Sequence, residues 1–424
     1  MRQWEAVHPY NAAQIMRLAG RADAGAAAAA WNDAVISLGL GPLTIRRGRF
    51  QYSPSPSTLG EGKGGGPAIL LPVGTDLADH VSRELNRPFE SNHYLPFRPF
   101  LIQESDSYFA GVVYQHWTAD SSSIRALMRQ WFCLMVDPAQ ARHQAMSMPR
   151  GGYLRYFGPK KCQCGWGAQT LMFAQSSRRL RQVRRLDDPR SSDMTMRTTI
   201  HRLGPTALAT ALPSARRRGA TLNDLFLACI AQVCDQYVPS RFTRRRRDLA
   251  LATIVDLRSR SREKLDDLFG LFLGYANVIC AQDDLADFPA LLGSIAAQTR
   301  RHKAVDEAQA SATWMAVAML ACAFHPRAKR VPFFRKHVPL SAGISNVNLN
   351  QSWCAAYYPR PLMEYLRVSP TGPMVPVIFT PTTLGNDLHF ALTYRTAVIS
   401  AAAAQGMAQR FIELLTNSAA PFCV

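Results

Sequence analysis

No stretch of this chain is apolar for long enough to cross a bilayer; the longest hydrophobic run, Trp314 to Phe324, has the length of a buried helix. The opening Met1-Arg2-Gln3-Trp4-Glu5-Ala6 lacks the apolar core of a secretory signal, so an intracellular, cytoplasmic protein is expected. Metal-site spacing is missing too. The 9 cysteines are scattered, and only Cys162-Gln163-Cys164 lie close together, with no second Cys or His pair to complete a zinc site. Free thiols in a reducing compartment are the expectation, with no metal and no bound cofactor. Gly64-Gly65-Gly66 is not followed by the Lys-Ser/Thr end of a phosphate loop.

Acidic residues are scarce: 30 Asp and Glu stand against 49 Lys and Arg, a net charge of +19. The arginines gather at Arg178-Arg179, Arg181, Arg184-Arg185, Arg216 to Arg218, Arg244 to Arg247, and Arg327, Lys329 and Arg330. A surface this basic attracts polyanions: nucleic acid, anionic lipid, coenzyme phosphates or an acidic protein. No nucleic-acid recognition motif accompanies the clusters, and aromatics are not interleaved with them, so nucleic acid is not expected as the partner. Most of the runs read as solvated helix faces. Peripheral membrane contact is compatible with the charge.

The 424 residues exceed what one core usually organises, and 47% hydrophobic with 19% charged residues fits a globular chain of two domains. Asn11 to Leu38, with its alanine run, reads as helical. Leu43-Thr44-Ile45 and Phe50-Gln51-Tyr52 read as a strand pair, and Ser53 to Pro67 as a Pro-, Ser- and Gly-rich surface loop. Gln175 to Ser192 is polar and arginine-rich and serves as the candidate linker, dividing the chain into lobes 1–185 and 193–424. Beyond it, Thr221-Leu222-Asn223-Asp224 has the form of a capping box opening an amphipathic helix. Leu249 to Leu257 reads as a strand ending at Arg258, Leu388 to Tyr394 as an alternating strand, and Ser400 to Asn417 as the last helix. Both halves mix strands with covering helices, an α/β architecture.

Tyr108-Phe109-Ala110-Gly111-Val112-Val113 reads as a buried strand, and Ile124, Leu127, Met128, Trp131 and Met135 recur at helical spacing. His116 and Asp120 fall between them, where a rigid support can present an imidazole to a substrate. A histidine so placed suits proton abstraction from an attacking hydroxyl or amine. Local evidence leaves a plain alternative open: Asp120, beside Ser121, Ser122 and Ser123, is equally suited to cap the helix.

His116-Trp117-Thr118-Ala119-Asp120 after a buried strand resembles the His-His-x-x-x-Asp-Gly core of nonribosomal peptide synthetase condensation domains, shared by wax ester synthase-like and chloramphenicol acetyltransferase-like acyltransferases. His8-Pro9-Tyr10-Asn11-Ala12 is similar to family openings. Thr221 to Asp224, Val255-Asp256-Leu257-Arg258, Gly270 to Val278, Gly343-Ile344-Ser345-Asn346-Val347 and Asp387 to Tyr394 follow in the family's order. Each motif is weakly specific, but their order spans nearly the whole chain.

The resemblance implies two chloramphenicol acetyltransferase-like lobes in a V-shaped pseudo-dimer with a central tunnel. It implies an acyltransferase moving an acyl group from a coenzyme A or carrier-protein phosphopantetheine thioester to an alcohol or amine, in the manner of secondary metabolism. His116 becomes the catalytic histidine, Asp120 a structural acid paired with Arg258, and Ser345-Asn346 a cleft element whose amide meets the substrate or oxyanion; a turn-capping Asn346 is the alternative. A monomer is expected. Two positions depart from the pattern: Gln115 replaces the first histidine and Ser121 the glycine. Gln115 should point away from His116 and keep a structural hydrogen bond, whereas Ser121 trades away backbone freedom. These departures keep open a catalytically silent scaffold that binds a carrier protein or lipid.

Overall fold

The computed structural model describes residues 2–46, 49–52, 68–89, 94–149, 153–157, 166–188, 192–261, 263–350 and 357–417. The Ser53 to Pro67 loop and the Cys162–Cys164 pair lie outside them. Two compact units emerge. The first holds Met1–Gly151, Lys264–Leu271 and Leu349–Val368; the second holds Gly152–Glu263, Phe272–Asn348 and Ser369–Val424. A single cut between 185 and 193 therefore does not separate them.

The first unit is built on a sheet in the order Leu362–Val368, Asn11–Ala19, Ser107–Gln115, Phe97–Gln103, Ile69–Leu70. All neighbours are antiparallel except the last pair. The segment expected to be one helix from Asn11 is thus a strand to Ala19 followed by a helix at Ala24–Ser37. Between them Gly20 takes a left-handed turn (φ 100°), and the Asp23 carboxylate caps the helix by accepting the Ala26 N–H. The strand is buried on both faces, so its sequence shows no alternation. Its far neighbour arrives from some 350 residues later, with Arg17 opposite Glu364 and bonded to it at 2.8 Å. Phe100 faces Gly111 across the central pair; a Cβ at Gly111 would lie 2.3 Å from the Phe100 ring. On this sheet the helices Ala24–Ser37 and Ser121–Val136 meet through Trp31 and Trp131, both fully buried, edge to face at 4.9 Å.

The second unit's sheet runs Leu273–Cys280, Leu249–Asp256, Ala342–Ile344, Val377–Leu384, Asp387–Arg395, Met196–Leu203, with Val347–Asn348 also pairing Val377–Leu384. Its main core joins the sheet to the helices Leu222–Tyr237, Phe288–Ala304 and Ala401–Asn417. The capping box is present: the Thr221 N–H donates to Asp224 and the Asp224 N–H to Thr221 Oγ1. Three expectations fail here. The supposed linker is structured, with helix Trp166–Leu180, buried Val183 and a strand pairing Arg185 with Arg241. Arg184 is no solvated arginine; its buried guanidinium bonds Asp235 at 2.8 Å. The Trp314 to Phe324 run is helical but only partly covered, leaving Val317, Leu320 and Phe324 50%, 64% and 83% exposed. A helix apolar all round needs cover on every side, and the strand Leu273–Cys280 and the neighbouring helices cover this one only in part. No helix among the described residues is long and apolar enough to cross a membrane.

Candidate active site around His116

The strand Ser107–Gln115 ends in a tight turn: the Thr118 N–H and hydroxyl both donate to the Gln115 carbonyl, at 3.0 and 2.7 Å. Asp120 then starts the helix, its carboxylate accepting the Ser123 N–H at 2.9 Å. His116 sits inside this turn. Its N–H donates to the Tyr10 carbonyl at 2.9 Å, and its ring stacks on Tyr10 (5.5 Å, 8°) and stands edge-on to Tyr114. The Nδ1 lies 3.0 Å from the Ala119 carbonyl oxygen. A carbonyl can only accept, so Nδ1 carries the proton and Nε2 presents a lone pair. Burial holds the imidazole below its usual pKa of 6.5, against the opposing pull of the Ala119 bond and the Asp120 charge. The ring is neutral at pH 7 and keeps 8% of the residue's surface open.

The helix start is clamped from both sides. Ser123 Oγ donates to the Gly270 carbonyl (2.8 Å) and accepts the Gly270 N–H (2.9 Å), and the Asp120 N–H also bonds Gly270. Opposite, Ser121 Oγ accepts from Arg367 Nε (2.8 Å), Gln14 Nε2 (3.1 Å) and Arg125 (3.1 Å). Arg367 is wholly buried, and burial reinforced by Arg125 lowers its pKa to about 10. Ser121 therefore supplies a hydroxyl on which three side chains converge, something glycine lacks.

Gln115 points into a separate network, accepting from the Tyr94 hydroxyl and donating to Glu5 at 3.0 Å. Arg258 follows strand Leu249–Asp256 in a short 3₁₀ turn, its guanidinium 3.6 Å from Asp256 and 4.7 Å above the Phe272 ring. Ser345 and half-buried Asn346 bridge two short strands that keep one parallel register along Val377–Leu384. Asp120 belongs to the first unit, Arg258 and Asn346 to the second. Sequence reasoning missed Tyr10, Gln14, Arg367 and Gly270. Tyr10 and Gly270 stood inside quoted motifs without being given a role; Gln14 and Arg367 carry no local signal, since sheet pairing brings them here.

The two readings of Asp120 part on substitution. Asp120→Ala removes the cap and should cost about 1–2 kcal/mol of stability in urea denaturation. Asp120→Asn retains a capping oxygen and should recover most of that loss. If it also recovers full turnover, the carboxylate is a cap and nothing more.

No protein-family model matches the sequence, and no curated protein matches it significantly. Solved structures do. The X-domain from teicoplanin biosynthesis superposes with a TM-score of 0.61 at 17% identity, covering 99% of this chain and 93% of that one. The trichothecene 15-O-acetyltransferase TRI3 from Fusarium sporotrichioides gives 0.67 at 12% identity, covering 97% and 92%. The EpoB cyclization-docking bidomain from Sorangium cellulosum gives 0.66 at 13%, covering 97% and 80%. Identities this low speak to architecture. The chain has the condensation-domain fold of the chloramphenicol acetyltransferase-like proteins, with two α/β lobes.

Proposed function

We propose that the protein is a condensation-type acyltransferase, taking an acyl group from a coenzyme A or carrier-protein thioester to an alcohol or amine. The observation that carries this is the Nδ1–Ala119 hydrogen bond, which holds the imidazole as the tautomer a general base needs. Nε2 takes the proton from the acceptor as its oxygen or nitrogen attacks the thioester carbonyl. The tetrahedral intermediate collapses, the C–S bond breaks, and the imidazolium returns its proton to the departing sulfur. Ester or amide and free thiol result, with no metal or redox cofactor in the balance. The acetyltransferase among the structural neighbours supports the reaction class.

In this proposal Asp120 pairs with Arg258 and holds the turn carrying His116, while Asn346, after Ser345, hydrogen-bonds the substrate or the oxyanion. Gln115 supports the turn from behind. The +19 charge suits an anionic donor, whether coenzyme phosphates or an acidic carrier surface. The protein acts as a cytoplasmic monomer. A second reading, a silent scaffold, draws on the Gln115 and Ser121 departures and on the neighbour solved as a complex of the X-domain with OxyB.

Mass spectrometry of products from a panel of acyl-coenzyme A and acyl-carrier thioesters, with alcohol and amine acceptors, decides between the two readings. Acyl transfer requires a product that His116→Ala fails to make. Equal carrier binding by both forms with no product establishes the scaffold. The base role also fixes a pH dependence. Protonated His116 cannot accept a proton and its pKa is depressed, so kcat/KM falls with acidification along a limb centred below pH 6.5. An acid limb centred above 6.5 would exclude His116 as the titrating group.

A further inference from the structure

The second unit contains three adjoining cavities that share no residue with the His116 cluster. The largest, about 420 Å³, is walled by helix Trp166–Leu180, strand Leu273–Cys280 and the helices Glu307–Ala323 and Arg327–His337. That volume lies within the range of small-molecule sites. Its walls are mainly apolar, centred on Phe173 stacked against Trp314 at 4.2 Å. On one side it shares Arg185 and Lys336 with a cavity of about 360 Å³; on the other it shares Asn277 and Glu307 with a recess of about 90 Å³. The apolar chamber thus lies between a basic mouth and a polar end.

Charge at the mouth is unbalanced. Arg184 and Arg335 are committed to Asp235 and Asp188. Arg185 and Lys336 have no carboxylate partner among the described residues. The surplus is felt nearby: burial, then Lys336, Arg185 and His325, lower the His337 pKa. At the other end burial and neighbouring arginines bring His302 down to about 4, so its ring is neutral where it approaches Glu307 at 3.2 Å. Two wall atoms are buried without a partner, Asn277 Oδ1 and Trp314 Nε1, and Asn277 is only 9% exposed. Orphaned groups of this kind cost about 1–3 kcal/mol each unless something in the cavity bonds them.

We propose that this chamber binds an anionic amphiphile, a hydrocarbon body ending in a phosphate or carboxylate, with its head between Arg185 and Lys336 and its body along the Phe173–Trp314 pair. Apolar surface drives the body in and two uncompensated cations select the head. The site stands independently of acyl transfer.

Titration calorimetry of the full chain with decyl phosphate, decanoate, decanol and inorganic phosphate, each below its micelle concentration, tests it. At least one of the two anionic amphiphiles should bind saturably at one site, and the preferred one names the head group. Decanol and inorganic phosphate should each bind at least tenfold more weakly. Arg185→Gln combined with Lys336→Gln should weaken the amphiphile at least tenfold, and Ala318→Trp, which fills the chamber, should remove it. His116→Ala should leave the affinity unchanged, separating this site from the proposed active site. No saturable binding by the unaltered protein overturns the proposal. So does decanol binding as tightly as the anions, or undiminished binding by the folded double variant.

Discussion

His116→Ala is expected to lower kcat by about 10²–10⁴-fold, the span a positioned general base contributes. The geometry sets that expectation: Tyr10 and Tyr114 fix the ring plane, and Ala119 fixes the proton on Nδ1. Tyr10 and Tyr114 are poor substitutes, because burial pushes both phenols well above their usual pKa of 10. KM should move little, since the lost contact is made chiefly as the proton transfers. An unchanged near-ultraviolet circular dichroism spectrum would show that the fold survives. A folded variant turning over within a few-fold of the parent would sink the proposed role.

Trp131→Ala should be the most destabilising single change argued from this structure, at about 3–5 kcal/mol. The indole is fully buried, packs edge-on to Trp31 and donates Nε1–H to the Ala27 carbonyl at 3.0 Å. Truncation opens a cavity between two helices and removes the hydrogen bond that ties the indole to the Ala27 carbonyl. Against a typical domain stability of about 5–15 kcal/mol, such a loss brings the first unit close to unfolding. Urea denaturation followed by fluorescence reads it as a displaced early transition; a shift below about 1 kcal/mol contradicts the packing argument.

How much of this could be read from residues alone varied with the range of the interactions. The turn from strand to helix around His116 was legible because apolar runs and a capping acid lie side by side in sequence. The Thr221–Asp224 box and the closing strand at Asp387–Arg395 were legible for the same reason. The strand at Asn11–Ala19 was not. Burial on both faces erased its alternation, and the alanines beyond it carry a helical signal. Arg367 reaches Ser121 across 246 positions, so no local pattern announces that contact. The arginines from 178 to 185 read as a solvated connector by composition, yet Arg184 is interior because Asp235 waits for it. Long-range pairing, not propensity, decided each of these.

The pairing of Asn11–Ala19 with Leu362–Val368 bears on how the chain is made. At roughly 5–20 residues per second, a ribosome needs on the order of twenty to seventy seconds between the two segments. Throughout that interval the nascent first unit displays one bare strand edge, open to any other extended polypeptide. Translation halted between Gly270 and Leu362 leaves that edge permanently uncapped and the Ser121 hydroxyl without Arg367, so shortened products should be chaperone clients and prone to aggregate.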